Sequence, residues 1–163
     1  MACPKETTCD SPAAADKPLV VLLVDDDPDC RALVRAAIET SGIASIVHEV
    51  GDGREALDFI HRRGRFACAP RPGLIYMDIE MPGLDGQAAL AAIRSDPCFR
   101  DIPVVMMTGI RDIEQMRLAA RRGANSYNLK QENADQFCRT VKDSTNYWLS
   151  VHQHPGPAGS ETK

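Results

Sequence analysis

The sequence lacks the features that mark membrane proteins, nucleic-acid-binding proteins and zinc proteins. No apolar run approaches the ~20 residues that a membrane span needs, and the N-terminus lacks the apolar core of a signal peptide. The net charge is −4, and no Lys/Arg run is longer than the Arg-Arg pairs at 62–63 and 121–122, which argues against nucleic-acid binding. The six cysteines have no CxxC spacing, so no zinc site is indicated. We therefore expect a cytoplasmic protein that binds neither membranes nor nucleic acids.

The length and composition fit one globular domain between two tails. The chain has 163 residues, of which 44% are hydrophobic and 26% charged, and this is enough for one core. Residues 1–17 are rich in Pro, Ala, Thr and Asp without periodicity, and we expect a disordered N-terminal tail there. Residues 151–163 contain Pro155, Gly156 and Pro157 and are expected to form a C-terminal tail. The folded domain is predicted to span residues 18–150.

Strand-like and helix-like segments alternate five times along this domain. The strands are predicted at 19–24, within 43–50, at 74–78, at 103–107 and at 126–129. Helices are predicted to follow each of them, with Asp27, Asp52, Asp112 and Asn133 at or near four of the helix starts. Alternation of this kind, with right-handed crossovers, gives a parallel sheet between two layers of helices. We expect an α/β flavodoxin-like (βα)5 three-layer sandwich with strand order 2-1-3-4-5.

The apolar stripes of the helices predict which faces are buried, and one connection stands apart from this pattern. Residues 62–72 have no period, two prolines and four arginines, so a long surface loop is predicted. The residues expected to face inward on the five helices in turn are Leu33, Val34, Ala37 and Ile38; Ala56, Leu57 and Ile60; Leu90 and Ile93; Ile113, Met116 and Ala120; and Ala134, Cys138, Val141, Thr145 and Trp148.

Four of the strands end on side chains that can take part in chemistry. Each such residue taken alone is an ordinary cap, turn or surface residue, but the carboxyl ends of parallel strands meet at one edge of a sheet. The residues are Asp25, Asp26 and Asp27 after the first strand, Asp78 at the end of the third, Thr108 after the fourth and Lys130 after the fifth. The sequence therefore predicts that carboxylates, a hydroxyl and an ammonium group converge on one site.

The chemistry of this site follows from its carboxylates. A carboxylate can attack phosphorus, but neighbouring carboxylates repel an anionic donor unless a hard cation is bound. Asp25, Asp26 and Asp78 supply only oxygen ligands, which suit Mg²⁺. Thr108 and Lys130 can donate hydrogen bonds to phosphoryl oxygens. These groups together favour phosphoryl transfer to an aspartate.

The same residues resemble the receiver domain of bacterial two-component response regulators, over about residues 19–150. The matching motifs are the pair Asp25-Asp26, Asp78 followed by the Met-Pro-Gly-Leu-Asp-Gly turn at 81–86, Thr108-Gly109 and Lys130, with Asp27 left as the helix cap before Pro28. The resemblance implies that Asp78 accepts a phosphoryl group from a sensor histidine kinase. It implies a magnesium ion held by Asp26, Asp78 and the backbone carbonyl of Glu80, with Asp25 acting through water. It also implies that Thr108 and Tyr127 act as the switch.

Two departures and the end of the chain narrow the resemblance. Gln131 stands where receivers usually have proline, so we expect a trans peptide bond after Lys130. Glu80 places a carboxylate where the rate of phosphoryl loss is tuned. In its missing proline and in the segment 146–155, the chain resembles the single-domain regulators that partner bacterial phytochrome kinases. The expected partners are thus a phytochrome-type histidine kinase and a downstream protein that the sequence does not identify.

Apolar residues outside the predicted core indicate a homodimer. The predicted interface is the face of the fourth helix, fifth strand and fifth helix, together with the C-terminal tail. Its apolar residues are Leu118, Tyr147, Leu149 and Val151. Scattered apolar residues also occur on the surfaces of monomers, so a monomer is the alternative.

Two other functions fit parts of the pattern. A haloacid dehalogenase-like, Mg²⁺-dependent phosphatase also combines Asp, Thr, Lys and acidic residues, but it carries an Asp-x-Asp nucleophile on its first strand, whereas Asp78-Ile-Glu80 lacks the second Asp. A non-phosphorylated interaction module would not need the complete set of site residues. A receiver is not a free-standing enzyme: it catalyses its own aspartyl phosphorylation and dephosphorylation.

Overall fold

A computed structural model describes residues 18–109 and 113–151 as a five-stranded parallel sheet between two layers of helices. The strand order is 2-1-3-4-5, which confirms the flavodoxin-like arrangement. The strands are β1 (Leu19–Val24), β2 (Ser45–Val50), β3 (Leu74–Asp78), β4 (Val104–Thr108) and β5 (Ser126–Leu129). The α-helices are α1 (Pro28–Glu39), α2 (Gly53–Ile60), α3 (Gly86–Ser95), α4 (Ile113–Arg121) and α5 (Ala134–Asn146). A π-helical turn, Tyr147–Val151, continues α5.

The sheet separates two apolar clusters because successive side chains on each strand point to opposite faces. On β1, Leu22 belongs to the cluster shared with α2 and α3, whereas Val21 and Leu23 belong to the cluster shared with α1 and α5. All five residues of β3 and of β4 are buried. These two strands are central, and their carboxyl ends therefore lie on a rigid part of the molecule.

Side-chain caps fix where the helices start. Asp27 accepts a hydrogen bond from the backbone N–H of Asp29, with Pro28 at the first helical position, as predicted. Asp52 caps α2 through the N–H of Glu55 and Asn133 caps α5. The start of α4 predicted at Asp112 lies outside the described residues, as do the two tails, 1–17 and 152–163.

The predicted buried face is wrong for α4 and largely confirmed for α5. On α4 the buried residue is Ala119, while Ala120 is exposed and Ile113 is 61% exposed. The predicted residues Val141, Thr145 and Trp148 are buried, and Cys138 is half-buried. Ala134 is exposed instead, and Phe137, which was not predicted, is buried. Residues three and four positions apart share a helix face, so a short stripe fits two registers equally well. Only packing against the sheet decides between them.

The predicted surface loop at 62–72 contains packed structure. Gly64–Phe66 forms a 3₁₀ helix, and the ring of Phe66 packs edge-on against Phe59 with the centroids 5.4 Å apart. Arg71 donates to Asp101 at 2.7 Å. These aromatic and ionic contacts hold the segment against the α2 side of the core. The absence of periodicity in its sequence did not indicate this packing.

Two polar links, a buried one at Tyr76 and a partly exposed one at Arg94, tie separate elements together. On β3 the hydroxyl of Tyr76 lies 3.1 Å from the carbonyl oxygen of Val141 and 2.9 Å from Oγ1 of Thr145, both on α5. Arg94 of α3 donates four hydrogen bonds, which go to the carbonyl oxygens of Arg100, Ile102 and Gly123 and to Oδ1 of Asn125. Arg94 thus joins the segments that precede β4 and β5, at the amino ends of these strands.

The π-helical turn that continues α5 carries one buried and one exposed aromatic side chain. Trp148 is 8% exposed and belongs to the α1–α5 cluster, whereas Tyr147 is 50% exposed and meets the Trp148 ring edge-on. The Lys130–Gln131 peptide is trans, as expected, since no cis bond occurs among the described residues. None of the helices in 18–109 and 113–151 is long and apolar enough to cross a membrane.

Candidate functional site

The predicted site residues do lie together at the carboxyl edge of the sheet. Asp78 and Thr108 are the last residues of β3 and β4, and Asp25 and Lys130 directly follow β1 and β5. The strands stay paired to this edge, because Lys130 N donates to the carbonyl oxygen of Thr108 at 2.8 Å and Ile79 N donates to that of Met107 at 3.0 Å. Four strand ends therefore position four functional side chains on one surface.

Lys130 bridges two buried carboxylates. Its Nζ lies 2.7 Å from Oδ2 of Asp25 and 3.2 Å from Oδ1 of Asp78. Asp25 is fully buried and Asp78 is 6% exposed, so both charges are removed from water and need a cation nearby. The second oxygen of Asp25, Oδ1, accepts a hydrogen bond from Asp27 N at 2.9 Å. Both oxygens of Asp25 are thus engaged.

Three carboxylates at this edge could hold a metal ion. One oxygen from each of Asp25, Asp26 and Asp78 lies within 4.8 Å of the others, and Asp26 is exposed to solvent. An all-oxygen, acidic set fits a hard divalent cation such as Mg²⁺. The side chain of Glu80 is exposed, and its carboxylate is not part of this group of three. The role assigned to its backbone carbonyl stays a prediction.

Burial and neighbouring charges set the protonation of the site. Burial raises the pKa of Asp78 to about 6; Lys130 opposes this rise, and the charges of Asp25 and Asp26 add to it. Burial alone would lower the pKa of Lys130, but its hydrogen bond to Asp25 and the charges of Asp78 and Asp25 raise it above the ordinary value. Lys130 is therefore a cation, and Asp78 is ionised at neutral pH at an energetic cost.

Two glycines let the loop after β3 close beside Asp78. A Cβ atom on Gly86 would overlap the carbonyl oxygen of Asp78 and lie 2.9 Å from its carbonyl carbon. A Cβ on Gly53 would overlap the carbonyl oxygen of Leu84, to which Gly53 N donates at 3.1 Å. The structural role of these glycines was not predicted. The available signal was the glycine directly after the capping aspartate of each helix, since glycine lacks the Cβ atom that would block a close approach of another backbone segment.

The two proposed switch residues differ in their surroundings. Thr108 is 5% exposed at the end of β4. Tyr127 pairs with Met106 in the sheet and packs against the α2–α3 cluster. Its hydroxyl oxygen is inaccessible to water and has no hydrogen-bond partner among the described residues, and burial raises its pKa. A buried hydroxyl without a partner is destabilising, so a second side-chain position in which the hydroxyl contacts water or a polar group would be favourable for Tyr127. Its role as a switch stays a prediction.

Comparison with known families and proteins agrees with this geometry. The family model "Response regulator receiver domain" matches residues 21–142. The chain is 32% identical over 145 residues to the probable methanogenesis regulatory protein FilR2 of Methanothrix harundinacea (strain 6Ac), covering 88% of this chain and 92% of that protein. It is 30% identical over 137 residues to the response regulator Rcp1 of Synechocystis sp., covering 84% and 93%.

Solved structures give the same result. The phosphorylated cyanobacterial phytochrome response regulator RcpA is 32% identical, with a TM-score of 0.81, and the match covers 85% of this chain and 99% of that one. The Mn²⁺-bound form of Rcp1 is 30% identical, with a TM-score of 0.79 and coverage of 85% and 99%. These similarities extend over nearly the whole length of the matched proteins.

Proposed function

The chain belongs to the response regulator receiver domain family, and from this membership we propose that Asp78 accepts a phosphoryl group from a sensor histidine kinase. The position of Asp78 carries the proposal: its carboxylate ends a fully buried central strand and lies 3.2 Å from the ammonium group of Lys130. An oxygen of Asp78 would form the new bond to phosphorus while the bond between phosphorus and the kinase histidine breaks. Lys130 then neutralises charge on the transferred group.

The acidic group supports a metal requirement for this reaction. Asp26, Asp78 and the backbone carbonyl of Glu80 would hold Mg²⁺, and Asp25 would act through water. A bound divalent ion would offset the repulsion between the carboxylates and the phosphoryl oxygens. Asp25 has little freedom to do more, because it already accepts from Lys130 and from the Asp27 backbone.

Phosphorylation would change the partners of the groups on β4 and β5. The hydroxyl of Thr108 would donate a hydrogen bond to a phosphoryl oxygen. Lys130 would replace a carboxylate partner with another phosphoryl oxygen. Thr108 ends β4 and Lys130 directly follows β5, so the exchange would move the loops that lead to α4 and α5. Tyr127, whose hydroxyl lacks a partner among the described residues, would move with them.

The relatives suggest the class of kinase. RcpA is described as a phytochrome response regulator, and it matches this chain over 99% of its own length. A phytochrome-type histidine kinase is therefore the proposed phosphodonor. The carboxylate of Glu80, two residues beyond Asp78, would set how long the phosphorylated form lasts. The downstream target is expected to be another protein.

A homodimer is proposed on the face of α4, β5 and α5. Tyr147 is 50% exposed and Ile113 is 61% exposed, and Ile113 was not expected at this surface. Leu118 is half-buried, and Leu149 is half-buried against the α1–α5 cluster, so both contribute less free surface than predicted. Light scattering of the wild type and of a Tyr147→Glu, Leu149→Glu double variant tests the proposal. A monomeric wild type, or an equally tight variant dimer, contradicts it.

Phosphodonor labelling tests the function itself. Acetyl phosphate and Mg²⁺ should add one phosphoryl group to the wild type, as seen by mass spectrometry, and none to Asp78→Asn. The Asn side chain is nearly isosteric but cannot attack phosphorus. Asp85→Asn is the matched control: Asp85 is exposed, lies in the same loop and caps α3, a role that Asn also fills. It should be labelled like the wild type.

The outcomes separate the three candidate functions. One trapped phosphoryl group supports a receiver, and turnover of acetyl phosphate without a trapped form supports a phosphatase. No reaction supports an interaction module. An unchanged phosphoprotein peak in Asp78→Asn removes Asp78 from its proposed role.

A further inference from the structure

Arg31 makes an unusual contact with the backbone of the acidic site. Arg31 lies in the first turn of α1, and its Nη1 donates a hydrogen bond to the carbonyl oxygen of Asp25 at 2.6 Å. Its Nε donates to Oε2 of Glu49 on β2 at 3.3 Å. One planar guanidinium group therefore joins the β1–α1 loop to the edge strand β2.

The carbonyl that Arg31 holds belongs to the peptide unit between Asp25 and Asp26. A fixed Asp25 carbonyl fixes the plane of this peptide unit, which also contains the backbone nitrogen of Asp26. Asp25 is also held through its N–H, which donates to the carbonyl oxygen of Val50 at 3.2 Å, and through both side-chain oxygens. Asp26, by contrast, is exposed and makes no side-chain hydrogen bond or ion pair among the described residues. The place of its carboxylate therefore depends on the backbone.

Glu49 keeps Arg31 in this position. It accepts from Arg31 through Oε2 and from Nε of Arg35 through Oε1 at 2.6 Å. Arg35 lies one helical turn beyond Arg31 and binds the same carboxylate, but its other contacts among the described residues are with Glu39 and with the carbonyl oxygen of Val47. Arg35 thus shares the ionic contact of Arg31 without its contact to Asp25.

We propose that Arg31 is a positioning residue that presets the Asp25–Asp26 peptide for metal binding. The inference deepens the proposed function, because it rests on Mg²⁺ binding at the acidic group. Residues that orient metal ligands without touching the ion commonly change affinity by about 10–100-fold when they are removed. Arg35 shares the ion pair with Glu49, so that contact alone would give both arginines the same effect on metal affinity.

Metal affinity compared between two arginine variants tests this role. Isothermal titration with Mg²⁺ should show the dissociation constant of Arg31→Ala raised by about 10-fold or more. Arg35→Ala should stay within about 3-fold of the wild type, since outer contacts that do not orient a ligand lack that effect. Urea denaturation of the apo forms should show similar stabilities for the two variants. Equal affinities of Arg31→Ala and Arg35→Ala overturn the proposal.

Two further measurements separate the possible failures. A wild type that binds no Mg²⁺ refutes the metal site itself, whatever the role of Arg31. Arg31→Lys replaces Arg31→Ala if the latter does not fold, because lysine keeps the charge but cannot contact Asp25 and Glu49 through two separate nitrogens. Its dissociation constant should also rise, and that of Arg35→Lys should not. Full affinity in Arg31→Lys refutes the need for the two-point contact.

Discussion

Replacing Asp78 with asparagine should make the protein more stable at neutral pH while abolishing phosphorylation. Burial raises the pKa of Asp78 from 3.8 to about 6, even with Lys130 at 3.2 Å. Between these two pH values the folded protein holds a proton that the unfolded chain has released. The free energy of unfolding therefore falls as pH rises across this interval and levels off above it. Asparagine does not ionise and avoids the loss.

The magnitude follows from that pKa. At about 1.4 kcal/mol per pH unit, a rise from 3.8 to about 6 corresponds to a stabilisation of up to about 3 kcal/mol at pH 7.5. At pH 5 the gain should be about half as large, because Asp78 of the folded protein is still mostly protonated and only part of the unfolding free energy has been lost. The value is an upper figure, since the Asn side chain also changes the hydrogen bonding of Lys130.

Urea denaturation at pH 5 and pH 7.5, with the metal removed by chelation, measures this difference. Asp26→Asn is the control, because Asp26 is an exposed carboxylate of the same site and should change stability by about 0.5 kcal/mol or less. Added Mg²⁺ should then stabilise the wild type and not Asp78→Asn, by mass action on the folded state. Equal stability of Asp78→Asn and wild type at pH 7.5, or a gain that is the same at both pH values, would refute the reasoning.

Three further variants test the supports of the site and the sheet. Arg94→Ala should lower the free energy of unfolding by about 2–4 kcal/mol, because four hydrogen bonds are lost, whereas Arg117→Ala, which breaks one exposed pair, should cost about 0.5 kcal/mol or less; equal losses would contradict the role of Arg94. Gly86→Ala should weaken Mg²⁺ binding in calorimetry, because its methyl group displaces the Asp78 carbonyl, and unchanged affinity would show that the loop can yield. Tyr76→Phe should cost about 1 kcal/mol in urea denaturation, and a neutral effect would show that its hydroxyl bonds add nothing.

The sheet edge was predictable because strand ends are strong signals in this sequence. Short apolar runs ended on Asp25, Asp78, Thr108 and Lys130, and parallel strands bring their carboxyl ends together without any need to know the loops. The structure places all four as predicted. The register of α4 was not predictable in this way, since a short helix with few apolar residues fits two faces and tertiary packing selects one.

Contacts between distant residues account for what the sequence did not show. Arg31 reaches the Asp25 carbonyl from the first turn of α1, and Glu49 meets Arg31 only because β2 lies beside β1. Gly86 looked like a turn residue, and its closeness to the Asp78 carbonyl appears only once α3 is in place. Phe66 lies in a segment without periodicity, and its partner, Phe59, lies on the preceding helix α2.

The position of Trp148 gives the molecule a built-in optical probe. It is the one tryptophan of the chain, and it is buried at the end of α5 against the side of the sheet that carries Tyr76. Its fluorescence therefore reports on a single place, with no label and no background from other indole rings. A shift of emission to longer wavelength on phosphorylation would mean that the end of α5 opens to water. An unchanged spectrum would mean that the signal leaves the molecule without passing through that helix end.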